Sequence, residues 1–204
     1  MLVSFLVSIT ASFAQQTETQ AHQSFITSKD GARIAVECTG KGPSLLIVHG
    51  GTGDRRRWQP LMPLFASHFY VCAMDRRGHG ASERGENYSL QREFEDVAAV
   101  VNSLTRGTQS QPVTNSPIRE RSTVDDGALG YARANEGRAA NPVFVLGHSI
   151  GGVCAFEAAF LTKNIAKLVL YEPPLQDLDH TAVEDRIEKM IRDESRSGLT
   201  YVFE

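Results

Sequence analysis

Residues 142–161 read Pro142-Val143-Phe144-Val145-Leu146-Gly147-His148-Ser149-Ile150-Gly151-Gly152-Val153-Cys154-Ala155-Phe156-Glu157-Ala158-Ala159-Phe160-Leu161. Pro142 to Leu146 is a continuous apolar run, the pattern of a strand buried on both faces. Val153 to Leu161 is apolar nearly all round at helical length, the pattern of a buried helix. Only Gly147 to Gly152 separates them, so the chain must turn sharply from strand to helix. That is half of a βαβ unit, and the alternation repeats on both sides of it.

Leu45 to Val48 and Phe69 to Met74 are two more buried strands. Each runs into a glycine-containing turn, His49-Gly50-Gly51-Thr52-Gly53 and Asp75-Arg76-Arg77-Gly78-His79-Gly80-Ala81-Ser82. Trp58, Leu61, Met62 and Phe65 mark a helical face, with Pro60 and Pro63 in its first turns, where a missing N–H costs little. Phe94, Val97, Ala98, Val101 and Leu104 form a second helical stripe. Before these, Gln23–Ser28 and Arg33–Cys38 flank the turn Lys29-Asp30-Gly31 as a hairpin. After them, Ala166 to Tyr171 is a fourth strand, stopped by Pro173-Pro174. The expected fold is α/β: a mostly parallel sheet with helices on both faces, carried by residues 23–104 and 141–176.

Three segments fall outside that core. Residues 2–14 are apolar or small and uncharged, with Ser12 and Ala14 placed for cleavage after Ala14. Residues 1–14 read as a secretory signal peptide, which predicts a secreted or periplasmic protein and otherwise a cytoplasmic one. Residues 105–140 are polar and aperiodic, with five Arg against four acids over 106–140. They read as a disordered or loosely packed insertion. Residues 177–204 hold eight acidic and four basic side chains. Val183, Ile187, Met190 and Ile191 give them one helical stripe, the expected start of a helical cap or lid.

Composition limits the rest. The chain has 204 residues and a formal charge of −3, which argues against a dedicated nucleic-acid binder. No apolar run reaches the roughly 20 residues of a membrane span. Three cysteines cannot all pair, so a disulfide framework is not expected. Cys72 and Cys154 lie in apolar stretches and read as small core residues. No phosphate loop, metal cluster or cofactor motif is recognised, since no Gly-Lys-Ser/Thr follows Gly50-x-x-Gly53. The oligomeric state is not legible.

The chemistry centres on Gly147-x-Ser149-x-Gly151, the spacing of a nucleophile elbow. A strand-to-helix turn this tight strains the serine backbone and leaves no space for Cβ atoms at 147 and 151. It also sets the hydroxyl at a helix N-terminus, beside free N–H groups. The backbone N–H groups of Gly51 and Ile150 are the candidate oxyanion hole, with Ser149 as candidate catalytic nucleophile acting on a small molecule. His49 and His79 are expected to bond loop backbone, and Arg55-Arg56-Arg57 to be a solvated helix start.

The order of His49-Gly50-Gly51, Trp58, the Asp75–Ser82 turn, Gly147–Gly152 and Leu168-Val169-Leu170-Tyr171-Glu172-Pro173-Pro174 resembles the α/β-hydrolase superfamily, in its ester-hydrolase-like branch. The resemblance covers about residues 24–104 and 141–180. It implies an eight-stranded, mostly parallel sheet and a Ser nucleophile, rather than the Asp of epoxide hydrolases and haloalkane dehalogenases. It also implies a triad acid and a histidine after the serine. These have no counterpart here: 55 residues follow Ser149, and His180 is the single histidine among them. The chain therefore reads as lacking the last strands of the sheet, and the triad acid and His stay unassigned. Three readings remain open: a truncated serine hydrolase, a non-catalytic α/β-hydrolase-like binding protein, or an enzyme whose base comes from His180 or a second chain. No imidazole nitrogen is expected within about 3.2 Å of the Ser149 hydroxyl while also bonded to a carboxylate, the geometry a base needs.

Overall fold

The apolar runs become the centre of a seven-stranded sheet of order β1-β2-β4-β3-β5-β6-β7. The computed structural model describes residues 21–107, 141, 143–174 and 201–203. β1 (His22–Thr27) and β2 (Arg33–Gly40) form the expected antiparallel hairpin, and β2 pairs antiparallel with β4 (Tyr70–Met74). From there the pairing is parallel: β4 with β3 (Ser44–Val48), β3 with β5 (Val143–His148), and β5 with β6 (Ile165–Tyr171). Leu46 is thus held between Cys72 and Val145.

Strand residues alternate between two cores because successive side chains point to opposite faces. Leu46, Val48, Cys72, Met74 and Val145 face one layer, made by α2 (Leu90–Gly107) and α3 (Ile150–Leu161). Leu45, Ile47, Val71 and Ala73 face the other, with Met62 and Phe65 of the short α1 (Met62–Ala66) and with Trp58. Leu46, Ile47 and Val48 are wholly buried. Each contributes about 1.5–3 kcal/mol relative to an exposed position. The α2 stripe read from the sequence is the buried one, with Val97, Ala98, Val101 and Leu104 all in the larger core.

Three expectations are corrected here. The helix of the second stripe runs on to Gly107, so 105–107 belong to α2 and not to the insertion; residues 108–140 lie outside the described residues. Within 177–204, Tyr201–Phe203 form β7, parallel to β6 with Val169 opposite Val202. That part of the segment is sheet and not helical cap; residues 175–200, like 1–20, lie outside the described residues.

The third correction is chemical. Cys72 is not a lone core thiol but is disulfide-bonded to Cys38. The two are direct cross-strand partners of β2 and β4, with Cα atoms 4.1 Å apart. Facing cysteines in an antiparallel pair are already within bridging reach. The bond closes a loop spanning a sequence separation of 34 and ties the hairpin to the parallel sheet. Bridges of this kind contribute about 2–4 kcal/mol. Cys154 is the free, buried thiol that the sequence suggests, and burial pushes its pKa up to about 12.

Chain purified without reductant and unfolded in guanidinium should therefore take up one iodoacetamide per molecule, and three after reduction. Mass spectrometry reads the count directly. Three adducts without prior reduction would refute the Cys38–Cys72 bond.

Candidate active site

Ser149 lies between β5 and α3 with φ 52° and ψ −130°. A non-glycine residue held there stores about 1–3 kcal/mol, so the surroundings must impose it. They do so by close packing. A methyl group on Gly147 would come within 2.6 Å of Gly152 Cα, and one on Gly151 would overlap the carbonyl oxygens of His49 and Val48. The glycines let α3 start directly against β3 and β5. The Ser149 N–H then donates to Tyr171 O at 2.9 Å, and Ser149 O accepts from Gly152 N at 2.7 Å. The Ser149 side chain makes no capping bond to α3.

The turn after β3 lies alongside this elbow. A methyl on Gly50 would stand 3.2 Å from Ser149 Cβ, and one on Gly51 would stand 3.6 Å from Ile150 Cγ2. Gly51, Ser149 and Ile150, named from separate motifs, are thus brought together. The orientation of the turn follows from His49. Its Nε2 accepts the Arg76 backbone N–H at 2.9 Å, so the ring proton sits on Nδ1, which donates to Gly50 O at 2.7 Å. Arg76 Nη1 donates to the same oxygen at 3.0 Å. Gly50 O therefore points into the protein. No peptide is cis among the described residues, and a trans unit sets its N–H opposite its C=O. The Gly51 N–H accordingly points away from Arg76.

His49 bonds loop backbone as expected. His79 does not: its ring packs edge-on to His49, with centroids 5.1 Å apart. Arg55 also departs from expectation. Arg56 and Arg57 are exposed, but Arg55 turns inward because Asp75 is wholly buried and needs donors. Arg55 N bonds Asp75 Oδ1 at 2.8 Å, Arg55 Nη1 pairs with Asp75 Oδ2, and Arg55 Nε reaches Glu37 at 3.0 Å. Asp75 Oδ2 also accepts from Ala81 N at 2.7 Å. Two buried carboxylates of α2 complete the frame: Glu93 binds Arg76 and Asp96 binds Arg77. No motif spacing points to these α2 partners; they follow from α2 lying beside the turn after β4. The Arg77 guanidinium also grips Asp30 and holds its carboxyl down to about 2.

No imidazole among the described residues is hydrogen-bonded to the Ser149 hydroxyl. His49 has both ring nitrogens engaged. His148 stacks on Tyr171 at 5.3 Å, with its Nε2 3.8 Å from Glu172 Oε2. His180 lies outside the described residues. Likewise, no group of three or more His, Cys, Asp or Glu among the described residues is set to hold a metal ion. No described helix is long and apolar enough to cross a membrane.

Burial holds the His49 pKa down to about 4, against an ordinary value of 6.5. The native state keeps the ring neutral while the unfolded chain takes a proton below about 6.5, so stability falls as pH drops from about 6.5 to 4. Between pH 7 and pH 4.5 the wild-type chain should lose about 2 kcal/mol more than a His49→Gln variant. Urea unfolding at the two pH values measures this, and equal losses would contradict the buried neutral ring.

Comparison with known proteins identifies the fold. Over 69 residues the chain is 36% identical to the 2-(acetamidomethylene)succinate hydrolase of Mesorhizobium japonicum, covering 33% of this chain and 25% of that protein. Over 87 residues it is 31% identical to 3-oxoadipate enol-lactonase 1 of Acinetobacter baylyi, covering 42% of this chain and 33% of that one. The chain thus spans a quarter to a third of the length of these relatives. Among solved structures, an alpha/beta hydrolase of Sphaerobacter thermophilus superposes with a TM-score of 0.53 at 25% identity, over 84% of this chain and 57% of that one. A family model described as the alpha/beta hydrolase family matches residues 45–203. With the strand order, the elbow and the turn beside it, that match establishes that the chain belongs to the alpha/beta hydrolase family.

Proposed function

We propose that Ser149 is the nucleophile of an acyl-transfer hydrolase acting on a small ester-like substrate, with the N–H groups of Gly51 and Ile150 as its oxyanion hole. The observation that carries this is the strained Ser149 at the start of α3, pressed against the turn that holds Gly51. Ser149 Oγ would attack the carbonyl carbon, and the oxygen of that carbonyl would take up negative charge. Ile150 N lies in the first turn of α3, where N–H groups have no helical acceptor. Gly51 N points away from Arg76, on the exposed side of the turn. Each such donor is worth about 3–4 kcal/mol in a transition state. Collapse of the intermediate expels the alcohol and leaves an acyl-serine, which water then hydrolyses.

The proton of Ser149 needs a base, and the triad acid and histidine are not among the described residues. The nucleophile and hole are therefore best tested without the base. The names of the two relatives, a hydrolase of a succinate derivative and a lactonase, support a small molecule with a hydrolysable bond. The Cys38–Cys72 bond and the apolar N-terminus support export, since disulfides persist in oxidising compartments.

A Ser149→Cys variant supplies its own nucleophile, because a thiol at a helix N-terminus ionises readily. With Cys38 and Cys72 bonded and Cys154 buried, the new thiol is the reactive one. With p-nitrophenyl acetate it should release one equivalent of nitrophenol. At equal thiolate concentration, its acylation should exceed that of glutathione at least tenfold. Acylation no faster than glutathione would reject the assignment of nucleophile and hole.

A further inference from the structure

Arg76 holds the turn at two points. Its backbone N–H fixes His49 Nε2 at 2.9 Å, and its Nη1 donates to Gly50 O at 3.0 Å. The rest of the guanidinium is committed elsewhere: Nε and Nη2 bind the two Glu93 oxygens at 2.6 and 3.0 Å. Arg76 is 4% exposed and Glu93 1%. Glu93 is itself held on α2, accepting from Tyr88 Oη and, at 3.8 Å, from Cys154 Sγ. A buried ion pair of this kind adds little net stability compared with apolar side chains of equal volume. What an apolar pair could not supply is the third donor, aimed at Gly50 O.

That oxygen belongs to the peptide unit whose N–H is the Gly51 donor. Glycines flank the unit on both sides, so no side chain resists its rotation. A flipped peptide would turn Gly50 O outward, and a carbonyl dipole would face the oxyanion where a donor is needed. Two donors on Gly50 O, one of them charged, oppose that flip. They also draw electron density toward the oxygen, which strengthens the N–H on the far side of the same amide.

We infer that Arg76, anchored by Glu93, is a positioning residue for the oxyanion hole: it locks the 50–51 peptide with its N–H outward and polarises it. This rests on the reading of Ser149 and Gly51 given above. It predicts a selective defect. Acylation of a thiol by p-nitrophenyl acetate passes through a tetrahedral oxyanion; alkylation by iodoacetamide, a displacement at saturated carbon, does not.

Both rates are measured in the Ser149→Cys chain and in the same chain carrying Arg76→Met with Glu93→Gln, which leaves no unpaired buried charge. Acylation should fall at least tenfold while alkylation stays within twofold. A parallel fall in both would make the pair merely structural and overturn the inference, and so would no fall in either. An Arg76→Lys variant covers the case in which the double variant does not fold. Its ammonium keeps the charge opposite Glu93 but cannot hold both carboxylate oxygens and Gly50 O in fork geometry. Its acylation-to-alkylation ratio should drop threefold or more, and an unchanged ratio would overturn the inference. Failure of the hydrolase reading is seen separately, in a parent Ser149→Cys chain with no acylation advantage over glutathione.

Discussion

Three consecutive charged residues at the end of β4, all buried, hold together the edge of the sheet that carries the candidate site. Asp75 braces the turn internally at Ala81 and ties it to Arg55, Arg76 ties it to Glu93 and Gly50, and Arg77 ties it to Asp96 and Asp30. Burying an ion costs several kcal/mol unless its hydrogen bonds are complete. Here they nearly are, since Arg77 binds both oxygens of Asp96 and both of Asp30. Removing one partner would strand a charge at a cost of about 3–5 kcal/mol. Four segments distant in sequence are therefore fixed relative to one strand end, and loops fixed in this way can hold donors in place before a substrate arrives.

The elbow meets the same requirement by packing. Gly147 and Gly151 remove the side chains that would keep α3 off the sheet, and α3 buries Cys154, Ala155, Phe156, Ala158 and Ala159 behind Ser149. The strain at Ser149 is held by that core and by the bond from its N–H to Tyr171 O. The clamp at β4 and the core behind α3 meet at one contact, where Gly50 and Gly51 lie against Ser149 and Ile150. The proposed chemistry depends on that contact staying in place.

Much of this was legible in the residues. Apolar runs marked β3, β4, β5 and β6 because parallel strands are buried on both faces. Gly147-x-Ser149-x-Gly151 predicted the strained turn because its context was a strand and a helix. Features set by tertiary register were not legible. Cys38 meets Cys72 only because β2 docks antiparallel on β4, and no local spacing encodes that pairing. Arg55 looked like one of three solvated arginines until the buried Asp75 supplied a partner. His79 stood in a motif beside two arginines, yet the arginines took the carboxylates and left it a ring contact with His49. Tyr201–Phe203 is too short a stretch to show a period, and its pairing with β6 comes from the sheet edge it meets.

The proposed hole requires that one oxygen, at the position reached by a carbonyl attached to residue 149, be held by two backbone donors. A crystal structure of the Ser149→Cys chain acetylated by p-nitrophenyl acetate measures this directly. The thioester oxygen is expected about 2.7–3.1 Å from both Gly51 N and Ile150 N, with Gly50 O still bound by Arg76. A thioester oxygen turned to solvent, or a Gly50 carbonyl rotated to face it, would rule out the proposed hole.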